Sequence, residues 1–435
     1  MLAIMLARRG VRVELFERRA DPRDQPPDLR RSINLALSER GSRALAKVDL
    51  LERVQARSVP MRARAIHSVQ GHVVYQRFGR YDHEFLRAIE RHTLNAILLE
   101  AAEAAGVTLF FGNEIVGLEP DGVVAQFRDS GSGVVNVVRC ERVIAADGAR
   151  SATREVLIDH GLARFDVDEL PYGYKELPVP REHAGAMELE YLHLWPRRSF
   201  MMIANPNPDR SFSCTLFLPD RGADESFAGL TTAEAVRSFF DREFADVVPL
   251  MPQLTDEFMG RPTGRMPTVR GGPWHVGDRV LLIGDAAHAI VPFFAQGMNS
   301  AFEDCSILID LLDSSGGDWE YVMAAFYEGR RRNTDAIADM AMQNYHEIRE
   351  HVIDERFRLR KQVEQELMAR FPRLYTSMHV SVMFTNEPYQ DAYTSSMAQA
   401  SLLERICDGV SQLEDVDWTL AERLLRELEH PTASR

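Results

Sequence analysis

Residues Val280 to Cys305 read VLLIGDAAHAIVPFFAQGMNSAFEDC. Val280, Leu281, Leu282 and Ile283 form an unbroken apolar run, the pattern of a strand buried on both faces. Gly284 lets the chain turn sharply behind it. Asp285 follows at the carboxyl end of the strand, where open α/β sheets hold their ligands. An apolar loop with Pro292, Phe293 and Phe294 comes next, and Gln296-Gly297-Met298-Asn299 opens a helix carrying Ala301, Phe302, Cys305 and Leu308. A helix that starts beside a glycine offers free N–H groups to negative charge. By pattern alone, the stretch is a buried strand, a turn and a helix of any α/β protein.

Composition sets the class around that stretch. The chain has 435 residues, 27% charged and 45% hydrophobic, as in a globular enzyme of two or three domains. A net charge of −14 argues against a nucleic-acid partner. It also requires that an anionic substrate be captured by local arginines. Cys140, Cys214, Cys305 and Cys407 lack metal-type spacing and read as reduced thiols of a cytoplasmic protein. No apolar run approaches the ~20 residues of a membrane span. The opening MLAIMLARRG is apolar and then basic, the wrong order for a signal peptide.

Outward from 280–305, a similar unit lies at 140–157, CERVIAADGARSATREVL. Val143 to Ala146 form a strand, Asp147-Gly148 a turn, and Ser151 caps a helix bearing Arg154. Residues 1–9 read as the last turns of a buried helix stopped at Gly10. Val11, Val13 and Leu15 alternate as a strand ending at Glu17, where a dinucleotide fold places its ribose-binding acid. The first strand and Gly-x-Gly-x-x-Gly turn of such a fold are not in the sequence, so it is expected to begin inside the first helix. Residues 20–31 form a loop, and a short strand then leads to a helix with Ser38 at its N-cap. Arg62 and Arg64 alternate with Ala63 and Ala65 on a strand, and Gly71 turns it back. Residues 91–106 make an amphipathic helix opened by Arg91. Strands follow over 107–139, with turns at Asp121-Gly122 and 130–133. Three more strands fill 191–220, turning at Pro196-Arg197 and Asn205–Asp209. Thr231 to Phe244 is a helix. Residues 317–370 are helical, Asn333 to Arg370 being one long helix or two, and a last helical region spans 397–429.

The order Asp-Ala-Ala-His, Pro, Gly-Met-Asn, Glu-Asp resembles the second flavin motif of FAD-dependent aromatic hydroxylases. The pattern D-G-x-x-S-x-x-R at 147–154 resembles an earlier motif of the same enzymes. The runs RSINLALS (31–38), PMRAR (60–64), IHS (66–68), YLHLWPR (191–197), FMMIA (200–204), CTLF (214–217), GDAAHAIVPFF (284–294) and GMN (297–299) look like the kynurenine 3-monooxygenases, over most of residues 10–352. This resemblance implies an α/β fold. A Rossmann-like FAD-binding domain (1–60, 85–155 and 265–312) would be interleaved with a β-sheet substrate domain (61–84 and 156–264), followed by a C-terminal helical region (313–435).

The resemblance also implies chemistry: FAD, NADPH and O2 would hydroxylate L-kynurenine ortho to its aromatic amine through a C4a-hydroperoxyflavin. The protein's part would be to exclude water and orient the ring, with no catalytic triad and no metal. Leu192, Leu194, Ile203, Phe217, Pro292 and Phe293 would line an apolar pocket. Arg64 would pair with the substrate carboxylate and Asn344 would contact its amino-acid end. Glu17, Arg91, Asp147 and Asp285 would contact FAD, with Gly297, Met298 and Asn299 at the helix start facing the flavin pyrimidine. Three positions depart from the family. Phe78 and His379 stand where carboxylate-holding tyrosines occur, and Asn205 replaces a leucine. These leave open a related hydroxylase acting on another aryl amino acid or aromatic acid, and the absent Gly-rich turn leaves open an inactive truncated form. The ending LLRELEHPTASR shows no membrane anchor like that of eukaryotic members, and a homodimer is left open.

Overall fold

The unbroken apolar runs become parallel strands, and their pairing sets the two aspartate motifs side by side. Val280–Leu282 pairs in parallel with Val143–Ala145, and Ile283 N–H continues the ladder onto Ala145 O at 3.0 Å. The computed structural model describes all residues except 25–33, 122, 223–224, 351–354 and 430–435. Most of the expected 20–31 loop, and Gly122 of the Asp121-Gly122 turn, lie outside the described residues. A second parallel pair joins Glu14–Glu17 to Thr108–Phe111. Val11 and Val13 stay outside that strand, which is shorter than their alternation implies. Helices Leu2–Ala7, Arg91–Ala104, Ala152–Asp159 and Gly297–Ser314 pack on these strands around one core, with Ile4, Leu281 and Leu308 fully buried.

The second layer is a seven-stranded sheet. In spatial order it runs Gly264–Gly272, Arg164–Val179, Phe212–Pro219, Met201–Pro206, Tyr191–Pro196, Ala63–His67 and Val73–Arg77. It therefore continues past residue 264, the expected edge of the substrate domain. Alternation along the strands gives it two faces. Trp195, Met202, Cys214 and Leu216 point to a rear core covered by helix Ala233–Glu243. Leu192, Leu194, Ile203 and Phe217 point the other way, into a cluster shared with the Pro292–Phe294 turn and helix Trp319–Glu350. Asn205 and Pro206 still belong to a strand, and the turn expected at Asn205–Asp209 closes instead between Asn207 and Ser211.

Residues 333–370 resolve into parts of two helices, Trp319–Glu350 and Glu355–Arg370, followed by Met378–Phe384, Tyr389–Ile406 and Trp418–Glu429. No helix among the described residues is long and apolar enough to cross a membrane.

Ser38 does precede helix Glu39–Ala46, but its hydroxyl makes no capping bond. Asn299, on another helix, holds the Ser38 backbone instead. Its Oδ1 accepts from Ser38 N–H at 3.0 Å, while its Nδ2 donates to Ala36 O (2.8 Å) and Ala295 O (2.9 Å). Fully buried, Asn299 thus fastens the Gly297 helix to the strand and helix at 34–46. Gly41 makes room for it, because a Cβ there would collide with Asn299 Oδ1 and Leu37 Cδ1. Gly41→Ala should gain up to ~1 kcal/mol of helix propensity and lose more by overpacking, which typically costs ~1–3 kcal/mol. A net loss of stability is expected, read as a lower denaturant midpoint at unchanged slope. A stabilised variant would contradict this packing.

Candidate active site

The turn after strand Val280–Leu282 depends on Gly284, whose φ of +61° favours glycine and whose Cβ would press on Ala301 at 3.3 Å. Behind this turn sits Asp304, with no exposure. It accepts hydrogen bonds from Gly284 N–H (3.2 Å), His288 Nε2 (2.6 Å) and Arg330 Nε (2.8 Å). Burial alone would push its pKa up, but His288 and Arg330 outweigh burial and hold it below the usual carboxylate value. Glu303 links Arg330 to Arg40, which lies 3.9 Å from the centre of the Tyr389 ring and donates to Glu387 O. Tyr389 OH donates to Gln296 Oε1 at 2.8 Å. The loop 284–296 is therefore held at both ends by buried polar contacts.

A further clamp joins the two sequence motifs. Ser151 Oγ accepts from Arg154 N–H at 2.9 Å, as expected of a cap. The buried Arg154 guanidinium then donates to Ala286 O (2.9 Å) and Ala149 O (2.7 Å). The Asp-Gly turn at 147–148 is thereby locked to the Gly-Asp turn at 284–285. Among residues given no role in the sequence reading, Asp304, Arg330, Arg40 and Gln296 do most to hold the loop. Glu303 and Asp304 were visible as the Glu-Asp of the motif, but their partners lie in other helices.

One continuous cavity of about 5150 Å³ runs along these elements, lined by Glu17, Arg91, Asp147, Asp285, Gly297 and Met298. Asp285 is exposed to this cavity, and the protein enclosing it raises its pKa by desolvation despite the nearby charges of His288 and Arg91. Gly297 begins an 18-residue helix, and a Cβ on it would lie 4.0 Å from Asp285 Oδ1. An acceptor carboxylate beside a helix N-terminus suits a polyhydroxyl chain attached to an electron-accepting ring, which is what FAD presents. Glu17 Oε1 takes the Arg19 N–H at 2.9 Å, and Asp147 Oδ2 takes the Thr153 N–H at 3.0 Å. Asn299 differs from the expectation. It does not line the cavity, and its side chain is spent on Ser38, Ala36 and Ala295.

The apolar end of the cavity brings together Leu192, Leu194, Ile203 and Phe217 from the sheet with Pro292 and Phe293 from the loop. Phe293 packs on Phe217 (5.2 Å) and Tyr345 (4.7 Å). Asn344 Nδ2 donates to Phe293 O at 2.6 Å, so this residue braces the pocket wall. Arg64 stands beside Leu192 in register. Its nearest polar contacts among the described residues are long: Gln76 Oε1 at 3.5 Å and the His379 ring nitrogens at 3.4 and 3.5 Å. Phe78 lies 5.0 Å beneath the guanidinium. Burial lowers the Arg64 pKa to about 10, opposed by Glu347, so the group keeps its charge at neutral pH. Asn205, Thr215, Glu176 and Tyr174 add a polar strip to the wall. The last three escaped the sequence reading, although their register, Thr215 opposite Ile203, Glu176 opposite Thr215 and Tyr174 opposite Phe217, would have marked them once the strands were paired.

Fold and site together define an FAD-dependent aromatic monooxygenase, and residues 1–317 match the family model described as FAD binding domain. A kynurenine 3-monooxygenase of Legionella pneumophila (strain Corby) is 48% identical over 426 residues, covering 98% of this chain and 94% of its own. A kynurenine 3-monooxygenase of Myxococcus xanthus (strain DK1622) is 43% identical over 98% of this chain and 92% of its own. This chain belongs to the kynurenine 3-monooxygenase family. Two solved structures share the fold at low identity. The tetrameric form of 2-methyl-3-hydroxypyridine-5-carboxylic acid oxygenase matches with TM-score 0.64 at 22% identity, over 81% of this chain and 90% of that one. The p-nitrophenol 4-monooxygenase of Pseudomonas putida DLL-E4 matches with TM-score 0.63 at 18% identity, over 82% and 88%.

If Asp285 accepts hydrogen bonds from the cofactor, Asp285→Ala should weaken FAD binding by ~1.5–3 kcal/mol, on the order of tenfold to a hundredfold. Recovery of flavin fluorescence on dilution measures this directly. Equal retention by parent and variant would remove Asp285 from the cofactor site.

Proposed function

We propose that this chain uses NADPH, FAD and O2 to hydroxylate L-kynurenine at the ring carbon ortho to its amine. The observation that carries the reading is Arg64, a half-buried cation whose polar contacts among the described residues are all long, at the end of an apolar slot beside the flavin motif. Such a slot accepts an aromatic ring, and such a cation calls for a carboxylate at one end of the molecule. Kynurenine has both, separated by a short chain.

Bound FAD, once reduced, supplies the activated oxygen that the protein's own side chains cannot. The remaining tasks fall to named residues. Asp285 and the Gly297–Met298 helix start would hold the cofactor, with Glu17, Arg91 and Asp147 along its length. Leu192, Leu194, Ile203 and Phe217 would fix the plane of the ring. Pro292 and Phe293, braced by Asn344, would close the slot against water and keep the ring oriented. Arg64 would set how far the ring enters, by pinning the carboxylate. A second reading, a related aryl amino acid as substrate, draws support from Asn205, a buried amide in the wall of this slot.

Arg64→Met keeps bulk and removes charge. Removing one partner of a buried charged pair costs ~2–5 kcal/mol, so the kynurenine concentration that half-stimulates NADPH oxidation should rise by about thirtyfold or more. The comparison needs enzymes of matched FAD content, and mass analysis of the product should show one added oxygen. An unchanged concentration dependence would place the carboxylate elsewhere. A parent enzyme that kynurenine fails to stimulate, while another aryl amino acid succeeds, would establish the second reading. Phe78→Tyr gives the converse test: a hydroxyl beside Arg64 should tighten kynurenine binding.

A further inference from the structure

One strip of the slot wall is polar. On strands Met201–Pro206 and Phe212–Pro219, Met202, Ala204, Cys214 and Leu216 point to the rear core. Alternation therefore puts Ile203, Asn205, Thr215 and Phe217 on the opposite face, and all four line the cavity. The antiparallel register sets Thr215 opposite Ile203, and Asn205 opposite Ser213. Asn205 and Thr215 are thus diagonal neighbours, near enough for one small group to touch both side chains.

Asn205 is 7% exposed and Thr215 8%. Neither the Asn205 amide nor the Thr215 hydroxyl makes a hydrogen bond to any described residue, yet neither is among the sealed polar atoms of the interior, so both open onto the slot. The polar residues beyond them are satisfied. Asn207 Nδ2 donates to Ser211 Oγ at 2.8 Å and to Ser213 Oγ at 3.3 Å, and Asn207 Oδ1 accepts from Asn34 Nδ2 at 2.6 Å. A buried amide or hydroxyl is costly to leave without a partner. A flat ring with only C–H groups at this point would strand both.

The ring amine of kynurenine is a group of the right kind. It has two N–H donors, and Asn205 Oδ1 and Thr215 Oγ are two acceptors. Asn205 Nδ2 and the Thr215 hydroxyl proton can turn to the adjacent ketone oxygen. We propose that Asn205 and Thr215 are specificity-determining residues that bind the substrate's aromatic amine. This rests on the reading that the substrate is kynurenine. Only hydrogen bonds form; no covalent bond changes and no proton is transferred. The consequence is orientation. Leu194, Ile203 and Phe217 fix the plane of the ring but cannot tell its two edges apart, and a half-turn about the bond to the ketone exchanges them. The amine contact removes that choice, so a single edge of the ring is presented to the cofactor. A ring without the amine leaves two buried acceptors unpaired and is disfavoured for that reason.

Equilibrium titration of the FAD-loaded, NADPH-free protein, followed by flavin absorbance, tests this with two ligands. One is L-kynurenine, and the other is its desamino analogue, with hydrogen in place of the ring amine. Asn205→Leu and Thr215→Val keep bulk and remove the hydrogen-bonding atoms. The parent should prefer L-kynurenine over the analogue by about tenfold or more, and each variant should cut that preference by about threefold or more. A general disturbance of the fold would weaken both ligands alike and leave the preference in place. No preference in the parent, or an undiminished preference in either variant, would overturn the proposal and leave the kynurenine reading intact. A parent that does not bind kynurenine at all would overturn both.

Discussion

A single carboxylate with no access to water sets the geometry of the cofactor end. Asp304 takes Gly284 N–H, His288 Nε2 and Arg330 Nε at once, and so joins the strand end, the Asp285 turn, the Gly297 helix and the Trp319 helix at one point. Burying that charge would be costly without partners, and burying any partner without the charge would be costly as well. The mutual dependence is what makes the arrangement specific. From Asp304 the contacts continue through Arg330 and Glu303 to Arg40 and the Tyr389 ring, so the C-terminal helices are packed onto the same loop that presents Asp285.

The other end of the cavity is arranged on the opposite principle. Arg330, the more buried of the two arginines, has its charge met by Asp304 and Glu303. Arg64 has a ring beneath it, an amide and an imidazole at the limit of hydrogen bonding, and a carboxylate, Glu347, that acts on it only through space. One buried arginine is satisfied by the protein and belongs to the frame. The other has no close ionic partner among the described residues, which is what the proposed carboxylate site requires. Between them the apolar faces of the sheet and of the Pro292–Phe294 turn define a slot for a flat ring, at a distance from both charges.

The frame was readable in the sequence wherever the signal was local. An unbroken run such as Val280–Ile283 can hardly be anything but a buried strand, and Asp147-Gly148 and Gly284-Asp285 mark strand ends by their chemistry alone. Ser151 could be assigned as a cap because its partner is three residues away. Ser38 could not be judged in that way, since the group that satisfies its backbone is Asn299, far along the chain. Asn299 was expected at the flavin because it belongs to the Gly-Met-Asn run at the helix start, and nothing local shows that its side chain serves Ser38, Ala36 and Ala295. Arg40 and Arg330 carry no pattern that separates them from solvated arginines, and only tertiary packing shows them to be buried. The pocket residues Leu192, Leu194, Ile203 and Phe217 came from resemblance, and alternation along paired strands accounts for their common face. Thr215 and Glu176, in the next strands of the same row, needed the register itself.

If the buried Asp304 contacts fix the Asp285 loop for the cofactor, FAD binding must depend on them. The most direct test is the FAD dissociation constant of Asp304→Asn, compared with Met202→Ala, a truncation in the rear core of the sheet that also costs stability. Asp304→Asn should weaken FAD binding by at least about tenfold through loss of charge-assisted hydrogen bonds, while Met202→Ala should leave it unchanged in the folded protein. Unaltered FAD affinity in folded Asp304→Asn would contradict it.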